Sequence, residues 1–398
     1  MELAGDAPLA GLKVVEISMY AQGPLAGLVL ANLGAEVVKI EPVGSQDPFR
    51  TYAGMYGIQL DQAGADWIFA LMNRGKRCIA LDVASEAGRP LFHRLIEQAD
   101  VFVTNLRATA IDRMGADAET LLAVNPRLVY ARGAGFGFAG DIANDPCQDT
   151  VGMAYSGFMD AVSTTEEPHY PPGALSDIAT GTNLASAILA GLVKRSITGT
   201  GSVVGTSQVQ TMMWLQTFGI GFAANLGQRM ARFDLRKAAS PLLSVYQTAD
   251  GWISIGAVLD EQWRNVAHTM GLAHLLDDPR RHAHRRHQQQ RRAGAPPHRP
   301  LPGGTHRALV AAVPHGRHLG VAGAPLRRAG HRRAHHRQRL RGAVPRRLGR
   351  HPGAVRRRRV QRHLFGGVGL GEDTDAVLGE LGVTEEQLIE LRVSRAIW

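Results

Sequence analysis

Only two cysteines, Cys78 and Cys147, occur in 398 residues. So few exclude a disulfide framework and suit a reducing, cytoplasmic setting. Long apolar runs are also missing. The stretch 182–193 is short and 211–225 is broken by Gln216, so neither reads as a membrane span. The first residues, MELAGDAPLAGLKVVEI, lack the basic region and apolar core of a secretory signal. A third absence is local. Residues 279–371 contain no Asp, no Glu and no Lys, yet hold 24 Arg and 12 of the 16 His. The formal charge of +10 therefore belongs to one segment; elsewhere 21 Lys and Arg face 35 Asp and Glu.

Three readings of 279–364 stand side by side. A basic arm would bind nucleic acid or an anionic surface, although such arms use Lys as well as Arg. A solvated linker would need no packing. Out-of-frame translation of a GC-rich gene, between two compensating indels, yields mainly Arg, Ala, Gly, Pro and His, the composition found here. Each reading predicts a poorly ordered segment, because its apolar area is too small to offset chain entropy.

What is present outside that segment is a regular alternation. The length and an apolar fraction of 44% predict a globular chain of two or more domains. LKVVEI (12–17), EVVKI (36–40), CIALDV (78–83), VFVT (101–104) and RLVYAR (127–132) read as strands. PLAGLVLANLG (24–34) reads as a helix with a glycine stop, and SEAGRPLFHRLIEQA (85–99) as a crossover helix capped by Ser85. This order predicts a parallel sheet covered on both faces. Residues 178–193 have helical spacing, SVVGT (202–206) reads as a strand, and 209–226 as one long buried helix. LLSVYQTADGWISIGAV (242–258) reads as a hairpin turning at 249–251, followed by a helix from Asp260. Helical patterning returns at 370–398.

Several motifs have a bland reading beside a functional one. GFGFAG (135–140) matches the letters of a dinucleotide-binding loop, but DIANDPCQDT after it is not the helix such a site needs. Asp177 opens a helix, where aspartate is a favoured cap, and it is also a candidate nucleophile. Asp149, in PCQDTVGMAYSG, has the same two readings and is a second candidate acid. Arg74, Lys76 and Arg77 in NRGKR form either a phosphate-holding cluster or a solvated turn.

Six segments taken together resemble one family. PLAGLKVVEIS with GPLAGLVLANLGAEVVKIEPVGSQDPFR, then NRGKRCIALDVASEAGRPLFHRLIEQADVFVTNLRATAIDRMG, NPRLVYARGAGFGFAG, GALSDIATGTNLASAILAGLVKRSITGTG, YQTADGWISIGA and LGEDTDAVLGELG resemble, in order, the blocks of the class III CoA-transferases. This formyl-CoA/carnitine-CoA transferase family includes the α-methylacyl-CoA racemases. The resemblance spans roughly 8–278 and 370–395. It implies an α/β fold: a Rossmann-like parallel-sheet large domain built from both chain ends, plus a smaller α+β domain, in interlocked homodimers. The corresponding division is 1–200 for the first part of the large, CoA-binding domain and 201–278 for a linker helix and small domain. The anomalous segment 279–369 follows, and 370–398 returns to the large domain.

The resemblance also implies a chemistry: coenzyme A moves between carboxylic acids, with acyl-CoA as co-substrate and no metal. Asp177 falls on the catalytic aspartate, and Gln22, Leu81, Asn105, Leu106, Arg113 and Met114 fall on CoA contacts. Arg74, Lys76, Arg77 and Arg113 are the candidates for the CoA phosphates. Asp177 is expected to cap its helix loosely while serving as nucleophile, with backbone N–H groups steadying the carboxylate and the oxyanion. The chain departs from the family at Pro42, where an Arg is common. It departs again at Ala21, where some members have the Gln that here stands at 22, and it has no glycine-rich lid loop between 225 and 255. Racemases commonly have a His where this chain has Gln148, which favours transfer over racemisation. The remaining alternatives are a racemase or acyl-CoA isomerase, an inactive frameshifted member, and a non-enzymatic binder whose basic arm contacts nucleic acid.

Overall fold

The computed structural model describes residues 7–59, 67–230, 243–247, 252–256, 259–277 and 369–398. They divide into two units, Met1–Met230 with His351–Trp398, and Ala231–Arg350. In chain order the elements are β1 (Lys13–Ile17), α1 (Gln22–Asn32), β2 (Glu36–Glu41), β3 (Gly54–Met55), β4 (Ile58–Gln59), α2 (Trp67–Asn73), β5 (Arg77–Ala80), α3 (Gly88–Glu97), β6 (Val101–Thr104), α4 (Ala108–Met114), α5 (Ala118–Val124) and β7 (Val129–Ala134). After a long loop come α6 (Asp149–Tyr155), α7 (Phe158–Ala161), α8 (Leu175–Thr198), β8 (Ser202–Ser207), α9 (Gln208–Leu215) and α10 (Thr217–Leu226). The second unit holds β9 (Leu243–Gln247), β10 (Trp252–Gly256) and α11 (Asp260–Thr269); α12 (Thr374–Glu380) and α13 (Glu385–Val393) belong to the first.

Six strands pair in parallel in the order β5-β2-β1-β6-β7-β8. The β-branched runs of β1, β2, β6 and β7 are buried on both faces, as a doubly covered sheet requires, while the edge strand β8 exposes Val203. Val14, Val37, Val101, Val103 and Val129 pack with Ala26 and Leu30 of α1 and with Leu184 and Ile188 of α8. On the other face Ile17, Ile40, Phe102 and Tyr130 pack with Phe92 of α3, Leu121 of α5, Leu378 of α12 and Leu388 of α13. The chain steps outward from β1 through β2 to β5, then continues with β6 on the other side of β1. Such a reversal leaves a crevice at the carboxyl ends of β1 and β6, the usual ligand position in an open parallel sheet.

The end of the chain docks on the edge strand β5. The Cys78 and Ala80 amides donate to Asp373 and to the Thr374 hydroxyl at 2.9 and 3.1 Å. Arg77 pairs with Glu380 at 2.7 Å, and Leu81 bridges to Ile397. In the second unit β9 and β10 pair antiparallel from Trp252 opposite Gln247 to Gly256 opposite Leu243. Tyr246 and Ile255 pack there against Val266, Ala267 and Met270. The hairpin turn at 248–251 and the segment 279–364, expected to be poorly ordered, lie outside the described residues.

Three expectations shift. The helix read from 24 begins at Gln22. The crossover helix begins at Gly88, with the Ser85 hydroxyl accepting the Gly88 amide at 3.0 Å from outside it. The single helix expected over 209–226 breaks at Gln216, whose side chain donates to the Ser156 and Met212 carbonyls, both at 3.0 Å. The bond to Ser156 reaches back to the end of α6, so a tertiary contact overrides a locally helical pattern.

Candidate active site

The crevice is lined from the loop after β1. Asn105 clamps Met19 with two bonds: its side-chain oxygen accepts the Met19 amide at 2.9 Å and its Nδ2 donates to the Met19 carbonyl at 2.8 Å. Gln22 is buried at the start of α1 and donates to the Ala134 carbonyl at 2.9 Å, tying β1's loop to the end of β7. At Gly181 a Cβ would come within 2.5 Å of the Gln22 carbonyl, so the bare Cα lets α8 close on α1 there. Asp177 lies one turn before that contact.

Asp177 is the third residue of α8 and does not cap it. Two of the amides left free by the first turn, on Ser176 and Asp177, donate to Asp149 Oδ1, at 2.7 and 3.2 Å. Asp149 Oδ2 accepts the Tyr170 hydroxyl at 3.2 Å. The expectation that Asp177 caps its own helix, and that these amides steady a carboxylate or oxyanion at 177, is thus corrected. A neighbouring carboxylate from the start of α6 already occupies them, which suits the positive helix end. Asp149, expected as a second acid, is placed as that cap.

The Asp177 carboxylate instead meets Gln208, whose Nε2 donates to Oδ1. Burial pushes the Asp177 carboxyl up to about 7; the Asp149 charge adds to the rise and the Gln208 bond opposes it. Cys147 donates its thiol to Gln208 Oε1 at 2.9 Å. Tyr56 closes the other side: its hydroxyl accepts the Ala174 amide at 2.9 Å and lies 3.2 Å from the Tyr170 hydroxyl. The Tyr52 hydroxyl is raised by burial, then by Tyr20 and Asp177, which places it in the same field. Among the described residues, three of the four non-glycine residues with positive φ border this site: Tyr20, Tyr56 and Ala174, at 62°, 51° and 54°. Each such conformation costs about 1 kcal/mol or more and persists where surrounding structure enforces it.

The remaining expected site residues separate into two groups. Leu106, Arg113 and Met114 follow β6 near the crevice; the Leu106 and Met114 side chains pack on the core while Arg113 reaches back only to the Thr109 carbonyl, at 3.2 Å. Leu81 is 1% exposed, its side chain in the core and its amide donating to the Glu41 carbonyl at 3.0 Å. Arg74 donates to the Leu71 carbonyl at 2.7 Å. Lys76 is corrected as a phosphate ligand. It is buried, and its ammonium donates to Glu16 at 2.8 Å, to the Pro24 carbonyl at 2.8 Å and to Asn73 at 2.8 Å. Three donors serve three internal acceptors. Arg77 is likewise turned to Glu380. The loop after GFGFAG forms turns, and the next helix starts only at Asp149, so no helix N-terminus faces that motif.

Gln208 escaped the sequence reading. A signal was present: Ser207-Gln208 is the junction between a strand and a helix, at the carboxyl end of the sheet where ligands sit.

Comparisons with known proteins give the family. The sequence profile described as CoA-transferase family III matches residues 9–348. The chain is 33% identical over 276 residues to an acetyl-CoA:oxalate CoA-transferase of Acetobacter aceti, covering 69% of each chain. It is 30% identical over 269 residues to the α-methylacyl-CoA racemase of Mus musculus, covering 66% of this chain and 65% of that one. A crystal structure of a CAIB/BAIF family protein from Brucella suis superposes with a TM-score of 0.59 at 30% identity, covering 69% of this chain and 72% of that one. Across curated relatives the matched share runs from 60% to 71% of their length. No helix among the described residues is long and apolar enough to cross a membrane.

Proposed function

This chain belongs to CoA-transferase family III, and on that premise we propose that it moves coenzyme A from one carboxylic acid to another through an acylated Asp177. The observation that carries the reading is a buried carboxyl at the switch-point crevice, raised to about 7 by burial and tethered by one oxygen. A carboxylate of raised pKa is the stronger nucleophile once ionised.

The steps balance without water. Asp177 Oδ2 attacks the thioester carbonyl carbon, the C–S bond breaks and its electron pair leaves on sulfur as CoA thiolate. The thiolate then attacks the aspartyl carbon of the mixed anhydride, and the donor acid departs as carboxylate. The acceptor carboxylate attacks the resulting aspartyl thioester and releases thiolate once more. Thiolate attack on the acceptor's carbonyl forms the new acyl-CoA and restores Asp177. Exclusion of water keeps the thioester's energy in the exchange.

Asp149 serves this scheme by holding the start of α8 and by raising Asp177. Gln22, Asn105, Leu106, Arg113 and Met114 are the CoA contacts we assign, with Leu81 bordering through its backbone, and Arg113 and Arg74 remain for the phosphates. The exposed Trp214, Phe218 and Leu226 on α9 and α10 support a second copy of the chain as the partner of that face. Gln148, exposed and without a titratable group, gives no support to proton transfer in the racemase manner. The test is trapping: acetyl-CoA or succinyl-CoA followed by hydroxylamine marks the peptide containing Asp177 as its hydroxamate, and Asp177→Asn abolishes both mark and turnover. Exchange of the α-proton into deuterium without CoA transfer would replace this reading with the racemase one.

A further inference from the structure

Gln208 is 3% exposed and fixed at both ends of its amide. Its backbone is set by Ser207, whose hydroxyl accepts the Gln210 amide at 3.2 Å and caps α9. Its Cβ lies against the bare Cα of Gly152, where an added Cβ would come within 2.8 Å. The Cys147 thiol donates to Oε1, so the nitrogen end faces Asp177. Burial, then the Asp177 and Asp149 charges, push that thiol up to about 12. It therefore keeps its proton at neutral pH and stays a donor. Among the described residues nothing donates to the second Asp177 oxygen.

We propose that Gln208 is a positioning residue: braced on Cys147, it tethers Asp177 Oδ1 and leaves Oδ2 as the oxygen that forms the new bond. The proposal rests on the aspartyl reading above. A carboxylate held by one oxygen cannot swing, so its free lone pairs keep one direction toward the thioester. The titratable groups facing Asp177 are Asp149 at the start of α6, Cys147 in the preceding loop and Tyr52; Tyr170 bonds Asp149, and Tyr56 lies behind it against the Tyr170 hydroxyl.

The test compares the full-length chain with Gln208→Met, Cys147→Ala, Cys147→Ser and Asp177→Asn. Acylation of Asp177 is timed with acetyl-CoA and succinyl-CoA. The midpoint of the Asp177 titration is read without substrate, from the pH dependence of melting relative to Asp177→Asn. Gln208→Met slows acylation about ten- to hundredfold, the range for a hydrogen bond to a charged group. It leaves KM within about twofold and moves the midpoint up by about one pH unit. Cys147→Ala falls between, while Cys147→Ser, which still donates to Oε1, restores wild-type values. An unmoved midpoint in Gln208→Met, or a raised KM with unchanged kcat, overturns the role of Gln208 while leaving the nucleophile intact. Full turnover by Asp177→Asn overturns the nucleophile, and the role of Gln208 with it.

Discussion

A buried carboxyl raised from an ordinary 3.8 to about 7 is a cost to the fold as well as an asset to the chemistry. Between those two values the unfolded chain has released a proton that the folded chain still holds. Stability of the wild type therefore falls as pH rises from about 4 to about 7, and the loss is complete above that. Asp177→Asn removes the charge and with it the loss. Its melting temperature is expected to match the wild type near pH 4 and to exceed it above pH 7. The gain is of order 1–4 kcal/mol at about 1.4 kcal/mol per pH unit. Calorimetry of both proteins from pH 4 to 8 measures it, and a constant difference across that range would refute the raised carboxyl. Asp177 was legible in the sequence because it stands alone among small residues before an apolar run. Its surroundings were not. Asp149 lies 28 positions earlier and Gln208 lies 31 later, so no local pattern joins them. The same is true of Ala174, whose positive φ of 54° no alanine announces.

At the scale of the element, β1 shows how a strand pattern hides a polar core. Glu16 sits in a run that reads simply as a strand, yet it is fully buried between two ammonium groups, with Lys39 at 3.3 Å and Lys76 at 2.8 Å. Lys39 also pairs with Asp47 at 3.2 Å and donates to the Ser18 carbonyl at 2.7 Å. The loop that carries Met19 and Tyr20 is thereby fastened to β2. Removing the shared carboxylate leaves two buried cations with fewer partners. Glu16→Gln is expected to destabilise by about 3–5 kcal/mol, read as a lowered urea midpoint at unchanged slope. A loss below about 1 kcal/mol would show that water replaces the carboxylate. The alternation of short apolar strands and amphipathic helices made the sheet and its covering legible. Lys76 misled because a long cationic side chain looks solvent-facing in a sequence, and only its three-dimensional neighbours reveal an internal acceptor set.

The whole molecule joins a sheet core to a carboxyl-terminal return across a stretch of incompatible composition. Residues 369–398 dock on β5 through Asp373, Thr374, Glu380 and Ile397, so the chain packs on the same sheet on both sides of that stretch. Between them, 24 Arg and no acid or Lys cannot supply the amphipathic faces that a packed small domain requires. Of the three readings, a pair of compensating indels is the one that would account for both facts, with the frame shifting near residue 279 and returning before 370. Translating the same nucleotides in the alternative frame is then expected to restore Asp, Glu and Lys over 279–364, with apolar residues at helical or alternating spacing. A protein made from that corrected frame is expected to bind acyl-CoA and acylate Asp177 at a rate above that of the present chain, measured by the same hydroxylamine trap. Stop codons or a second arginine-rich translation in that frame would refute the out-of-frame reading and leave a linker or a basic arm. Those two separate by salt: an arm's affinity for duplex DNA falls steeply as salt rises, in proportion to the phosphates it neutralises, whereas a linker has no affinity to lose.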